Sequence, residues 1–250
     1  KRFATTTSSG LMRLWTLLHL VTSTSSIVAN RKILLLHSSS SSAGAFLQHG
    51  ALGLQGAAGA SYHDGGRLAW TFGTTEWDAG IEIDTDYGAW WTERDGSDAG
   101  YAAAEKAIAR VEEAIREGDY DGLAGFSDGA ILAAVVAARA ALGEGTCGNS
   151  LRFAIICGGA VPPLYEPLLQ RFQKDPTATI ATVHCLSSCD TIRPAEGGEL
   201  LASYFGKEAL VTWHDEGHAM PPTQNCKEVI AYVDEATPAP YVGTKASGQR

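Results

Sequence analysis

The densest chemical signal in the chain is Gly125-Phe126-Ser127-Asp128-Gly129, a G-x-S-x-G. A short apolar run, Leu123 to Phe126, precedes the serine, and an Ala-rich apolar run from Ala130 to Leu142 follows it. The first reads as a buried strand and the second as a buried helix. Between a strand and a helix this pattern forms a nucleophile elbow. The turn is so tight that the serine sits in strained backbone, its hydroxyl held above the sheet edge. Glycines two residues to either side let neighbouring backbone approach without a Cβ clash. The helix start supplies free N–H groups and the positive end of a dipole, so the N–H of Asp128 is placed to meet a developing oxyanion. The competing reading is a plain Gly-rich turn.

A serine nucleophile needs a base to take its proton and an acid to orient that base. After an elbow of this kind they follow in the order Ser, Asp or Glu, His. Asp190 lies in the loop after an apolar run at Thr179 to Leu186, and His218 in the loop after Ala209 to His214. Loops at the C-terminal edges of parallel strands converge, so Ser127, Asp190 and His218 can meet. The alternatives fit less well. His214 closes a strand and reads as a core or edge histidine. Glu196 and Glu199 face solvent on their helix, and Asp215 and Glu216 are too near His218 in sequence to orient it. His214 to His218 imitates a zinc H-E-x-x-H, but Asp follows the first His, Gly217 weakens a helix and Pro221-Pro222 follow closely. A metal-dependent hydrolase using His214 and His218 is therefore the remotest reading; no metal ligand set is assigned.

Positioning these groups requires alternating strands and helices. Lys32 to Leu36 reads as the first buried strand. His37 and five serines, Ser38 to Ser42, form the loop at its C-terminal edge. The second oxyanion donor belongs in that loop, on the backbone of Ser38 or Ser39; His37 is expected to pack beneath it. Ala45 to Ala57 is a candidate helix and Leu68 to Phe72 a candidate strand. Residues 73–98 read as a loop or cap in which Trp90 and Trp91, with Ser38, are candidates to line a substrate pocket; ordinary packing of a long excursion is the alternative. Ala99 to Glu117 is predicted helical, with Ala103, Ile108, Val111 and Ile115 inward, and Glu105, Lys106, Glu112, Glu113 and Arg116 toward water. Gly118 is expected to end it. Leu151 to Cys157 is a further strand. Leu164 to Phe172, Glu196 to Phe205 and Cys226 to Glu235 are further helices. The pattern predicts a doubly wound, mostly parallel α/β sheet with helices on both faces and a small cap or loop insertion.

Composition narrows the function classes. At 250 residues, with 45% hydrophobic and 19% charged, the chain suits one large α/β domain or two small ones and can bury a sizeable core. A formal net charge of −9 argues against nucleic acid or an anionic membrane surface as partner. Five cysteines, Cys147, Cys157, Cys185, Cys189 and Cys226, read as free thiols. Residues 1–31 contain no acid, carry Lys1, Arg2 and Arg13, and are rich in Ser and Thr. They read as an organellar transit peptide, as a secretory signal built on Leu14 to Val21, or as a plain extension of a cytoplasmic protein; that apolar run is too short for a stable membrane span. The folded domain is expected over residues 32–235, with a polar tail over residues 236–250.

Beyond the elbow, the sequence resembles the FSH-type serine hydrolases, small α/β-hydrolases. His37 to Ala43 stands where that family has a His-Gly loop with a Gln-Asn pair. Ala89-Trp90-Trp91 is similar to its Trp-rich stretch, and Asp121-Gly122-Leu123-Ala124-Gly125-Phe126-Ser127 closely matches its elbow. Ser187 to Asp190 stands at its acid, and Gly217-His218 with Pro221 at its base. The resemblance covers about residues 32 to 235. It implies an α/β-hydrolase fold, a Ser127–Asp190–His218 triad and an oxyanion hole from the N–H groups of Ser39 and Asp128. It also implies ester or thioester cleavage of acyl substrates without metal or organic cofactor. Two departures stand out: serines replace the loop's Gly and Gln-Asn, and Asp128 replaces the Gln usual after the nucleophile. They motivate the alternative of a catalytically impaired fold that binds an acyl ligand or a protein partner.

Overall fold

The computed structural model describes residues 32–38, 76–78, 98–147, 150–222 and 225–237. The expectations for residues 1–31, Ser39, Ala45 to Ala57, Leu68 to Phe72, Trp90, Trp91 and residues 238–250 lie outside them. Among the described residues, six strands form one parallel sheet: β1 Lys32–Leu36, β2 Glu76–Asp78, β3 Gly122–Phe126, β4 Phe153–Cys157, β5 Ala181–Ser187 and β6 Leu210–His214, in the order β2-β1-β3-β4-β5-β6. The helices are α1 Asp98–Gly118, α2 Asp128–Ala141, α3 Glu166–Lys174, α4 Ala195–Tyr204 and α5 Cys226–Ala236, with a 3₁₀ turn at Pro163–Tyr165. This is the α/β-hydrolase architecture.

The strands are nearly continuous apolar runs because both sheet faces are covered. On one face Leu34, Leu36, Leu123, Ala154 and Ile156 pack with α1 to α4. On the other, Ile33, Leu35, Ala124, Ile155 and Val183 pack with Val229 and Val233 of α5. Helix α2 is buried from Asp128 to Ala138. From Ala130 to Ala138 its surface is apolar on every side, as a helix wrapped by core must be, and its alanines let it lie close to the strands. The chain order reverses between β1 and β3, so a crevice opens beyond their C-terminal ends, where Ser127 and the loop after β1 lie.

Three details differ from the sequence reading. Strand β2 lies inside the stretch read as loop or cap; three residues, Glu-Trp-Asp, are too few for a periodic signal, and pairing to β1 in the register Ile33↔Trp77 defines them. Helix α1 ends at Gly118 as expected, but the positive φ of 53° that closes it falls on the next residue, Asp119. Gly118 serves contact instead: a Cβ there would collide with the Tyr120 ring. Glu112, expected to face water, is buried. Its carboxylate lies 3.3 Å from Arg139 Nε and accepts the Thr146 N–H at 3.1 Å, while Arg139 Nη1 donates to Glu105 at 2.7 Å. The inward stripe of α1 is wider than its apolar residues because α2 brings a cation against it.

Candidate active site

Ser127 sits between β3 and α2 with φ 56° and ψ −114°. Such backbone costs on the order of 1–3 kcal/mol and persists only where the surroundings over-determine it. Here they do. A Cβ on Gly125 would collide with the Gly129 carbonyl, and one on Gly129 with the carbonyl of Leu36 at the end of β1. Both glycines of the motif are thus fixed by close backbone approach, and the second presses the elbow against the loop that begins at His37. His37 is buried and its Nδ1–H donates to the Ser38 carbonyl at 2.7 Å.

The structure brings the three expected side chains together. His218 Nε2 lies 3.0 Å from Ser127 Oγ, and His218 Nδ1 lies 2.7 Å from Asp190 Oδ2. The other carboxylate oxygen, Asp190 Oδ1, accepts the N–H groups of Ile192 at 2.9 Å and Arg193 at 2.7 Å. Burial alone would raise the Asp190 pKa. The Arg193 N–H, the His218 ring and the Ile192 N–H outweigh it and hold the carboxyl below its ordinary value. A carboxylate so held stays ionised and fixes the proton of the imidazole on Nδ1, leaving Nε2 to accept from the serine hydroxyl.

The loops after β3, β4 and β5 are each tied to the neighbouring strand where they leave the sheet. Ser127 N–H donates to Cys157 O at 2.9 Å, Gly158 N–H to Cys185 O at 3.1 Å and Ser188 N–H to His214 O at 3.1 Å. The His218 ring is packed against Phe126, with centroids 4.8 Å apart. The rival residues lie elsewhere. His214 is buried at the end of β6, where its Nδ1 accepts the Glu216 N–H at 3.3 Å. Residues 215–219 form a loop, and Glu196, Glu199, Asp215 and Glu216 are exposed.

Of the expected oxyanion donors, Asp128 is the first residue of α2, and Ser39 lies outside the described residues. Of the pocket candidates, Ser38 is half-buried, whereas Trp90 and Trp91 lie outside the described residues. Beside the elbow a cavity of about 100 Å³ is lined by Asp128, Ile131, Val161, Pro162, Leu164 and Arg193. Arg193 is a residue the sequence reading missed. Its Nη2 lies 2.6 Å from Asp128 Oδ1, and the Asp128 side chain is only 2% exposed. The available signal was a cation three residues beyond the acid, in a chain with an unusual Asp beside the nucleophile. Gly158, with φ 61°, was also missed: a Cβ there would stand 3.3 Å from His218 Cε1.

Comparison with known proteins places the chain in a family. Zea mays acyl-protein thioesterase 2 superposes with a TM-score of 0.59 at 20% identity, over 82% of this chain and 95% of that one. Esterase PE8 gives 0.57 at 18% identity, over 84% and 94%. These likenesses show the fold. An esterase of Caenorhabditis elegans is 34% identical over 131 residues, 51% of this chain and 57% of the relative. Human esterase OVCA2 is 31% identical over 144 residues, 53% of this chain and 60% of the relative. The matched part of the chain thus spans about three-fifths of the length of these relatives. The serine hydrolase (FSH1) family model matches residues 54–230, well over half of the chain, which therefore belongs to that family.

Proposed function

We propose that the protein cleaves carboxylic esters or thioesters of acyl substrates through an acyl-Ser127 intermediate. The observation that carries this reading is the continuous hydrogen-bonded line from Ser127 Oγ through His218 to Asp190. In the first half-reaction Ser127 Oγ attacks the acyl carbonyl carbon while its proton passes to His218 Nε2. The carbonyl oxygen becomes an oxyanion, which the N–H groups of Asp128 and Ser39 receive. Collapse expels the alcohol or thiol, protonated by His218. In the second half, water gives a proton to His218 and attacks the acyl-serine, releasing the acid and restoring Ser127. Asp190 stabilises the imidazolium in both halves. The apolar walls of the cavity beside Asp128 suit an acyl chain. Every proton transfer falls to a protein side chain, so the scheme assigns no step to a metal or cofactor.

A fluorophosphonate probe tests the reading. Native protein should be labelled at Ser127, and Ser127→Ala should lose both labelling and p-nitrophenyl ester turnover, a fall on the order of 10⁴–10⁶ in kcat. Equal hydrolysis by parent and Ser127→Ala would instead support an acyl-binding protein without serine chemistry. A series of acyl esters and acyl-CoAs of graded length then separates ester from thioester preference.

A further inference from the structure

The residue after the nucleophile carries a charge of the wrong sign for its place. Asp128 is assigned above to the oxyanion hole through its N–H, and its carboxylate hangs from the same residue. From there it lies within about 6 Å of the oxyanion. A negative charge at that distance in an effective dielectric near 20 would slow oxyanion formation on the order of 10²-fold. Its side chain is 2% exposed, so water does little to screen it.

We propose that Arg193 is a positioning residue that makes Asp128 compatible with catalysis, by neutralising its carboxylate and holding it aside from the oxyanion. Two contacts of one residue support this. The Arg193 guanidinium reaches Asp128 Oδ1 at 2.6 Å, and the Arg193 backbone N–H donates to Asp190 Oδ1 at 2.7 Å. Arg193 therefore joins the elbow to the acid loop across 65 residues of sequence. The N–H that holds Asp190 and the cation that holds Asp128 move together, so the acid and the elbow share one register. The proposal rests on the serine-hydrolase reading of Ser127.

The test is a double-mutant cycle on purified full-length protein, using a p-nitrophenyl ester as substrate and melting temperature as a check on folding. Fluorophosphonate labelling of the parent comes first. Failure there would overturn the Ser127 reading itself, separately from the role of Arg193. With labelling in hand, Arg193→Gln should lower kcat on the order of 10²-fold with little change in KM. Arg193→Lys, which keeps the charge, should retain most of the activity. Asp128→Asn with Arg193→Gln should regain at least about tenfold over Arg193→Gln alone, because the charge that needed a partner has gone. A merely structural arginine would give no such rescue. The proposal is overturned if Arg193→Gln stays within about threefold of the parent, or if the double variant is no faster than Arg193→Gln. Should Arg193→Gln fail to fold, Asp128→Asn is compared with the double variant. Rates within about threefold of each other support the proposal, and a larger gap overturns it.

Discussion

The ring of His218 lies 4.8 Å from the ring of Phe126, and Gly158 approaches it so closely that an added Cβ would stand 3.3 Å from His218 Cε1. The imidazole is therefore held by packing as well as by its bond to Asp190. Gly158→Ala should lower kcat by about 10- to 10²-fold, since small misplacements of a reacting group are costly. The positive φ of 61° should add about 1 kcal/mol of instability. Steady-state kinetics beside urea unfolding separates the two effects. An unchanged kcat would mean that the ring tolerates the methyl.

Asp190→Asn keeps the shape of the acid and removes its charge. The loss expected is on the order of 10³–10⁴ in kcat, because the amide no longer enforces the tautomer that leaves Nε2 free. The Ile192 and Arg193 N–H groups can still bond the remaining carbonyl oxygen, so the melting temperature should move little. Kinetics and calorimetry on one preparation check both statements. A variant with parental kcat would remove Asp190 from the triad.

Gly129→Ala places a methyl into the carbonyls of Leu36 and His37. Neither strand end can retreat without breaking the pairing of β1 with β3, in the register Leu36↔Gly125. A destabilisation of about 3 kcal/mol or more is expected by urea titration, in the range reserved for buried steric conflict. A loss under about 1 kcal/mol would show that the contact is slack.

His184 is fully buried on β5 against Phe205, with no hydrogen-bond partner on either ring nitrogen among the described residues, and burial lowers its pKa to about 3. In the unfolded chain the value is near 6.5. Between those limits the unfolded state binds a proton that the folded state refuses, so stability falls as pH falls through that window. At pH 7 the ring is neutral in the folded state and mostly neutral in the unfolded one, so it contributes little to this slope. From pH 7 to pH 5 the parent should lose about 2 kcal/mol more than His184→Leu. Parallel pH profiles for the two proteins would remove His184 as the cause.

A chelator should leave ester hydrolysis unchanged, because each step above is assigned to Ser127, His218, Asp190 or a backbone N–H. Dialysis against EDTA followed by assay decides it. Activity lost on chelation and regained with added zinc would favour a metal-dependent hydrolase instead.

The proximity of Ser127, Asp190 and His218 was legible in sequence because parallel strands impose it. Once each residue follows a strand, the loops share one rim. The sheet itself was legible for the same reason, since buried strands such as Ile33 to Leu36 and Phe153 to Cys157 are unbroken apolar runs. What escaped the sequence depends on contacts between distant segments. Arg193 meets Asp128 only because the acid loop folds over the elbow. Glu112 is buried only because α2 places Arg139 beside it, and a helical wheel of α1 alone puts that glutamate in water. Gly158 follows an apolar strand, and only the fold brings His218 next to it. Short β2 carries no periodic signal, and only its partner defines it.

The three amide tethers from Ser127, Gly158 and Ser188 to the adjoining strands make the reactive rim an extension of the sheet rather than an appendage. Such amides should exchange with deuterium no faster than the central strands. Warming should then spare turnover until the whole fold gives way, so that inactivation and melting fall on one curve.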